Sequence, residues 1–389
     1  MTAGVVIVGT GVAGAGAALA LRKEGYRGGI TVVGREPLLP YRRPVLSKEI
    51  LTAAMPIEKA LIKPDAHWAE QDVTLRTGVT VDGGDPAAHT VALSDGTTLE
   101  YDTLLLTTGS RSRHLPDLPP GDRVAYLRDH EDAVALRDRL AGSDAVTILG
   151  SGLIGSEIAS AAEALGVQAT IVEAAALPLA RVVPPVLGER LAKLQRDHGV
   201  DLLLGRAPDD VVVDTDGVTV TVGDRSLRSD LLVVAVGTVP DTVLAEKLGA
   251  ATDNGIVVDD RFRTDLPDVY AAGDAASLPH PLFGGQYRAE NWTAAQDQGG
   301  AAAKAILGGL PAPTVPWGWS KQFGVLVQFA GWPSSDCEID IAGSVDEGKF
   351  VARCMRGGEL VGAVALDDAR GLTAARQELG ARVVPAPQS

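Results

Sequence analysis

The sequence predicts an α/β protein built on two dinucleotide-binding βαβ units and closed by a small C-terminal α+β domain. Three observations predict it. At 389 residues the chain is too long for one small core, so two or three domains are expected. Two separate segments repeat one pattern: a short β-branched run, a glycine-rich turn, an alanine-rich helical stretch and a second β-branched run. Pro311, Pro313 and Pro316 then mark a linker, after which short strands and a single helix follow.

The first unit runs from Val5-Val6-Ile7-Val8 through Gly9-Thr10-Gly11-Val12-Ala13-Gly14 into a helix to about Lys23 and a strand from Ile30 to Val33. Val91-Ala92-Leu93 and Thr97-Thr98-Leu99 flank Ser94-Asp95-Gly96 as a hairpin, and Leu104 to Thr107, closed by Gly109, reads as a buried return strand. The second unit repeats this with Val146 to Leu149, Gly150-Ser151-Gly152-Leu153-Ile154-Gly155, a helix to about Leu165 and a strand from Ala169 to Val172. Its own β-meander, Val211 to Val213 and Val218 to Val222, leads to Leu231 to Val236, closed by Gly237. From Val257 to about Leu307 the chain is expected to rejoin the first domain, through a strand at Val269 to Ala272 and a helix near Thr293 to Ile306. Beyond the linker, strands are expected at Val325 to Val327, Cys337 to Ile341, Lys349 to Cys354 and Leu360 to Ala365, with a helix near Leu372 to Leu379 and a frayed end from Val383 to Ser389. The expected domains are 1–110 with 238–312, 111–237, and 313–389.

A formal net charge of −15 argues against nucleic acid or an anionic membrane as partner. Met1-Thr2-Ala3-Gly4 leads straight into an apolar strand without a basic leader, and no apolar run is long enough to span a bilayer, so a cytoplasmic protein is expected. Cys337 and Cys354, outside any C-x-x-C spacing, predict neither a disulfide framework nor a thiolate metal site, and no metal is expected.

The two glycine turns carry the chemistry. In G-x-G-x-x-G between strand and helix, the first glycine permits the turn, the second lets backbone approach a pyrophosphate, and the third lets helix pack on strand. The helix N-terminus then holds the phosphates with unpaired N–H groups and its dipole. Gly9, Gly11 and Gly14 fill these places in the first unit and Gly150, Gly152 and Gly155 in the second. An acidic residue about 20 positions on bonds an adenosine ribose hydroxyl. Glu173 stands there in the second unit, where a carboxylate repels a 2′-phosphate, so NADH is expected and NADPH less so; Arg181 is the one nearby cation against that preference. In the first unit Glu36 is the candidate carboxylate, with Arg35 reaching the ribose or adenine.

At these residues the sequence resembles the FAD-dependent ferredoxin reductases of bacterial oxygenase systems. The resemblance covers nearly the whole chain. It rests on Pro40-Tyr41-Arg42-Arg43-Pro44-Val45-Leu46-Ser47-Lys48, Tyr126-Leu127-Arg128, Ala272-Gly273-Asp274-Ala275, Glu290-Asn291-Trp292 and Pro316-Trp317-Gly318-Trp319-Ser320. It implies a glutathione-reductase-like arrangement of two Rossmann-like domains, with FAD on the first unit and the nicotinamide cofactor on the second. By resemblance, Ala13 lies against the FAD pyrophosphate, Arg43, Pro44 and Lys48 beside the flavin, and Val81 and Arg128 at the adenosine half. Asp274 accepts from the ribityl chain, Trp292 sits near the flavin ring, and Trp319 flanks it. Ile154, Glu157 and Gly237 fall on the nicotinamide side, where Glu157 pairs with Lys48 before NADH arrives; Lys48, Glu157 and Trp292 are the catalytic candidates. The family commonly has an acidic residue where Arg35 stands, and its C-terminal domain is commonly longer.

The implied activity is transfer of electrons from NADH through FAD to a ferredoxin-type iron–sulfur protein that supplies a cytochrome P450 or a Rieske oxygenase, by a monomer or homodimer. The alternative is an NADH-dependent flavin oxidase or reductase acting directly on oxygen, a quinone or another small acceptor. Thiol–disulfide chemistry needs a redox cysteine in the segment Tyr41 to Lys48, which holds none. Arg42, Arg288 and Lys321 flank the flavin-side motifs and are the candidates for an acidic partner's docking patch.

Overall fold

The computed structural model describes residues 4–333 and 337–383. Among the described residues are eight α-helices: α1 (Val12–Lys23), α2 (Asp65–Glu70), α3 (His130–Leu140), α4 (Leu153–Ala164), α5 (Pro185–Asp197), α6 (Val243–Leu248), α7 (Trp292–Ile306) and α8 (Ala369–Val383). None is long and apolar enough to cross a membrane.

The first glycine unit lies in a sheet ordered Val73–Thr77, Ile30–Gly34, Gly4–Val8, Thr98–Leu106, Thr90–Leu93, Val81–Asp85, with Val269–Ala271 pairing the C-terminal half of Thr98–Leu106. Fully buried β-branched and leucine side chains on Gly4–Val8 and Thr98–Leu106 reflect a parallel core covered on both faces. The hairpin arm and the return strand expected separately are one strand, Thr98–Leu106: its first residues pair antiparallel with Thr90–Leu93 and its last pair parallel with Gly4–Val8. α1 packs on α7, so the C-terminal part of this region returns to cover the first unit. Gly299 admits that approach, since a Cβ there would collide with the Ala13 backbone.

The second glycine unit lies in an all-parallel sheet ordered Asp201–Leu204, Gln168–Glu173, Ala145–Leu149, Leu231–Val234, Val124–Ala125. Its meander, Asp210–Asp214, Gly217–Val222 and Arg225–Ser229, forms a separate antiparallel sheet. Where the chain leaves the first sheet and where it comes back, Ser110–Ser112 and Thr238–Pro240 pair antiparallel, tying exit to return.

The last region is a five-stranded antiparallel sheet ordered Trp317–Gln322, Val325–Gly331, Glu359–Leu366, Lys349–Arg356, Glu338–Ser344, with α8 packed against it. Trp317–Gln322 is a strand in its own right, where the sequence showed only a motif. Val383 closes α8 and is buried rather than frayed, and the rest of the expected frayed end lies outside the described residues.

Candidate functional site: a cavity from the first glycine turn to the second helix

Both glycine turns have the geometry that phosphate approach requires. Gly9 (φ 120°) and Gly150 (φ 101°) occupy left-handed backbone. A Cβ on Gly14 would strike the Gly9 carbonyl oxygen, and one on Gly155 the Gly150 carbonyl oxygen, so each helix packs tightly on its turn. The middle glycines differ: a Cβ on Gly11 or Gly152 meets nothing within 4 Å. Each is the N-cap of its helix without a side-chain cap, which leaves the first-turn N–H groups available to an anion.

From the first turn a cavity of about 500 Å³ runs along the domain junction. Gly9, Gly11, Ala13, Arg35, Glu36 and Val81 line it. So do Arg43, Pro44, Arg128 and Asp274, together with Lys48, Ile154, Glu157, Trp292 and Trp319. Gly14, Gly150, Gly152, Gly155, Glu173 and Gly237 lie outside this lining; Gly14 is buried behind its turn, and the others belong to the second unit.

The charged side chains along the cavity are mutually engaged. Tyr41 donates to Glu36 Oε2 at 2.6 Å, and Arg43 donates to Glu36 Oε1 and, at 2.9 Å, to the Arg128 carbonyl. Burial raises the Glu36 carboxyl, but Arg43 and the Tyr41 hydrogen bond outweigh it and hold it below the usual range. Glu36 is thus already bound by two donors, and a ribose hydroxyl there would share an occupied acceptor. Arg35 stands half exposed, with its guanidinium 3.9 Å from Asp129. Asp274 accepts from Ser110 Oγ at 3.1 Å and Arg128 Nη2 at 3.5 Å. Burial nonetheless pushes its carboxyl above the usual range, the Arg128 charge only partly offsetting the loss of water. Gly273 (φ 79°) lets this turn press against Ala13.

Also on the cavity wall, Glu157, 5% exposed, pairs with Lys48 at 2.7 Å. Lys48 also donates to the Pro44 carbonyl at 2.9 Å and lies 5.1 Å from the centroid of the Trp319 ring. Ser47 and Ser320 add hydroxyl donors to Glu157, and sequence reasoning missed both. Nothing local signals them, because the Ser320 bond spans 163 residues. Glu173 takes the Ser151 N–H on Oε2 at 2.7 Å and the Ala175 N–H on Oε1 at 2.8 Å, which fixes it over the second glycine turn. Arg181 is exposed. Arg206 donates its backbone N–H to the Glu173 carbonyl, and its guanidinium pairs with Asp209 at 2.9 Å.

The expected docking patch needs correction at Arg288. Its side chain is 8% exposed, ion-paired with Glu290, and bonded to Asn254 and the Asp274 carbonyl, so it braces the cavity wall from within. Arg42 and Lys321 are exposed. No cysteine is among the described residues that line the cavity, and burial pushes the Cys354 thiol up to about 12, far from the thiolate that exchange chemistry needs.

The residues present fit a flavin dinucleotide: an uncapped glycine turn at Gly11, a cavity lined by Arg35, Arg43, Lys48 and Arg128, and the buried Trp292 indole N–H, which lines the cavity without a hydrogen-bond partner. The comparisons agree. Residues 3–299 match the family model for pyridine nucleotide-disulphide oxidoreductases, and residues 317–389 match the reductase C-terminal model. Rhodocoxin reductase of Rhodococcus erythropolis is 36% identical, over 99% of this chain and 91% of that protein. The ferredoxin–NAD(+) reductase component of the anthranilate 1,2-dioxygenase system of Burkholderia cepacia is 35% identical, over 98% and 95%. The putidaredoxin reductase fold, solved as a covalent complex with putidaredoxin, superposes with a TM-score of 0.94 at 30% identity, covering 98% of this chain and 94% of that one. The chain belongs to the pyridine nucleotide-disulphide oxidoreductase family, and within it to the ferredoxin reductases of oxygenase systems.

Proposed function

We propose that the protein passes electrons from NADH, through FAD held in the long cavity, to a ferredoxin-type iron–sulfur protein that supplies an oxygenase. One observation carries the reading: a single cavity joins the uncapped turn at Gly11 to Lys48, Glu157 and Ile154 at the start of α4. A group bound along the first unit therefore meets one bound on the second. When bound, FAD accepts two electrons from the nicotinamide and releases them one at a time. The chain's own part is to bind, orient and exclude water. Gly9, Gly11, Ala13 and Gly14 form the cradle for the FAD pyrophosphate, with Arg35, Glu36, Val81 and Arg128 toward the adenosine. Arg43 orders Glu36 and the Arg128 backbone, Asp274 accepts from the ribityl chain, and Pro44, Lys48 and Trp292 border the flavin.

On the second unit, Gly150, Gly152, Gly155 and Gly237 receive the nicotinamide dinucleotide, with Ile154 and Glu157 beside the nicotinamide. Glu173 selects NADH over NADPH, because its carboxylate is held over the turn, where it would repel a 2′-phosphate. The chain's two cysteines, Cys337 and Cys354, outside any C-x-x-C spacing, suit a cytoplasmic setting. The test is reduction of a panel of ferredoxins, and of cytochrome c through them, by the FAD-loaded protein with NADH. Flavin colour that NADH bleaches, with turnover that requires a ferredoxin, is expected. Full-rate NADH consumption with oxygen or a quinone alone overturns the acceptor, and flavin that neither nicotinamide bleaches overturns the reading altogether.

A further inference from the structure

A buried carboxylate is tolerated only when its oxygens are fully supplied with donors. Glu157 receives three, from two segments remote from α4. Lys48 Nζ reaches Oε2 at 2.7 Å, the Ser47 hydroxyl donates to the same oxygen, and the fully buried Ser320 hydroxyl donates to Oε1 at 2.6 Å. Ser47 and Lys48 sit on a π-helical turn, Leu46–Ile50, and Ser320 on the strand Trp317–Gln322. One turn further along α4, the Phe323 N–H donates to Ser160 Oγ at 2.7 Å, so the C-terminal sheet grips α4 at positions i and i+3 of one face. Lys48 has other partners ready, in the Pro44 carbonyl and the Trp319 ring.

We infer that Ser47 and Ser320 are positioning residues for nicotinamide binding: their hydroxyls hold the Glu157 carboxylate on the cavity wall, so that Lys48 can leave it when the nicotinamide enters. The inference rests on the reading that Glu157 and Lys48 border the nicotinamide. If Lys48 were the only donor, its departure would strand a buried charge, the costliest way to break an ion pair. Hydrogen bonds to a charged group are among the strong ones, and two neutral hydroxyls keep the carboxylate satisfied without a second positive charge. With Ser320 lost, Oε1 has no donor, the carboxylate turns toward Lys48 and the cavity, and the entering nicotinamide meets a tighter clasp.

The test uses FAD-loaded Ser320→Ala and Ser47→Ala, each alone and combined with Glu157→Ala. Three quantities are measured: the NAD+ dissociation constant of the oxidised protein by equilibrium titration, KM and kcat for NADH with ferricyanide, and the thermal midpoint. Ser320→Ala is expected to weaken NAD+ binding and raise KM by roughly tenfold, with a much smaller change in kcat. Neither serine change should add anything once Glu157 is alanine, as residues acting through one partner are not additive. An unchanged NAD+ dissociation constant, or an equal effect with and without Glu157, overturns the inference. If Ser320→Ala does not fold, Ser47→Ala decides on the same criteria. Glu157→Ala with wild-type NAD+ affinity and KM instead overturns the underlying reading, an outcome distinct from the first two.

Discussion

Individual glycines do separable work in this chain. Gly11 has ordinary extended backbone (φ −67°) and open space where a Cβ would go, whereas Gly14 has none. Gly11→Ala is therefore expected to fold normally yet lose FAD, seen as missing visible absorbance in a protein with a wild-type circular dichroism spectrum. Gly14→Ala is expected to cost about 1–3 kcal/mol through overpacking, measured by urea unfolding. His280 gives a pH effect at the same scale. It is buried; its Nδ1 accepts from the Leu282 N–H, and its Nε2 faces the Thr314 carbonyl at 2.9 Å, so the neutral ring is the one that fits. Burial lowers its pKa from 6.5, with the Thr314 bond opposing. Below the unfolded value the unfolded chain binds a proton that the folded chain refuses, so stability is present above that pH and declines as pH falls through it. Thermal midpoints from pH 7.5 down to 5.5 (about one unit either side of the ordinary imidazole value) should fall for the wild type and fall less for His280→Gln.

Among the elements, the two dinucleotide helices begin on bare glycine, and α3 begins on a full capping box: Asp129 accepts from the Asp132 N–H and Asp132 from the Asp129 N–H. The contrast follows function, since a side-chain cap would compete with a phosphate. Asp129→Ala is expected to destabilise the protein by about 1 kcal/mol in chemical denaturation, with FAD retained. Sequence periodicity located α1, α4 and α7 closely, yet gave no account of α3, α5 or the strands Val73–Thr77 and Asp201–Leu204. The apolar face of α5, Leu187, Leu191 and Leu194, is spaced for a helix but follows Pro184 and Pro185, which masked its start. Val73–Thr77 has one buried residue and lies at a sheet edge, where alternation is weak.

For the whole molecule, with a net charge of −15, an acidic partner would have to meet it through a local patch rather than by global attraction. With Arg288 buried in the cavity wall, Arg42 and Lys321 remain of the three candidate cations. Arg42→Glu with Lys321→Glu is expected to raise KM for a ferredoxin acceptor about tenfold at low salt while leaving KM for NADH unchanged. Titrating salt in steady-state assays should erase the difference, because exposed charges are screened beyond roughly 8–10 Å. An unchanged ferredoxin KM removes these two residues from the docking surface.

By itself the sequence determined the two glycine turns, their flanking strands and helices, the place of Glu173 at the end of the second strand, and the absence of a thiol beside Lys48. Each is set within a short stretch of chain, where spacing alone fixes which backbone groups face a ligand. Tertiary structure decided how the charges are shared: Glu36 with Tyr41 and Arg43, Asp274 with Arg128 and Ser110, Arg288 with Glu290, and Glu157 with Ser47, Lys48 and Ser320. The Asp274 and Glu157 sets join segments remote in sequence, whereas the Glu36 and Arg288 partners lie within seven residues of them. In a poorly hydrated interior a charge's behaviour is set by its nearest partners, and distance along the chain does not reveal them.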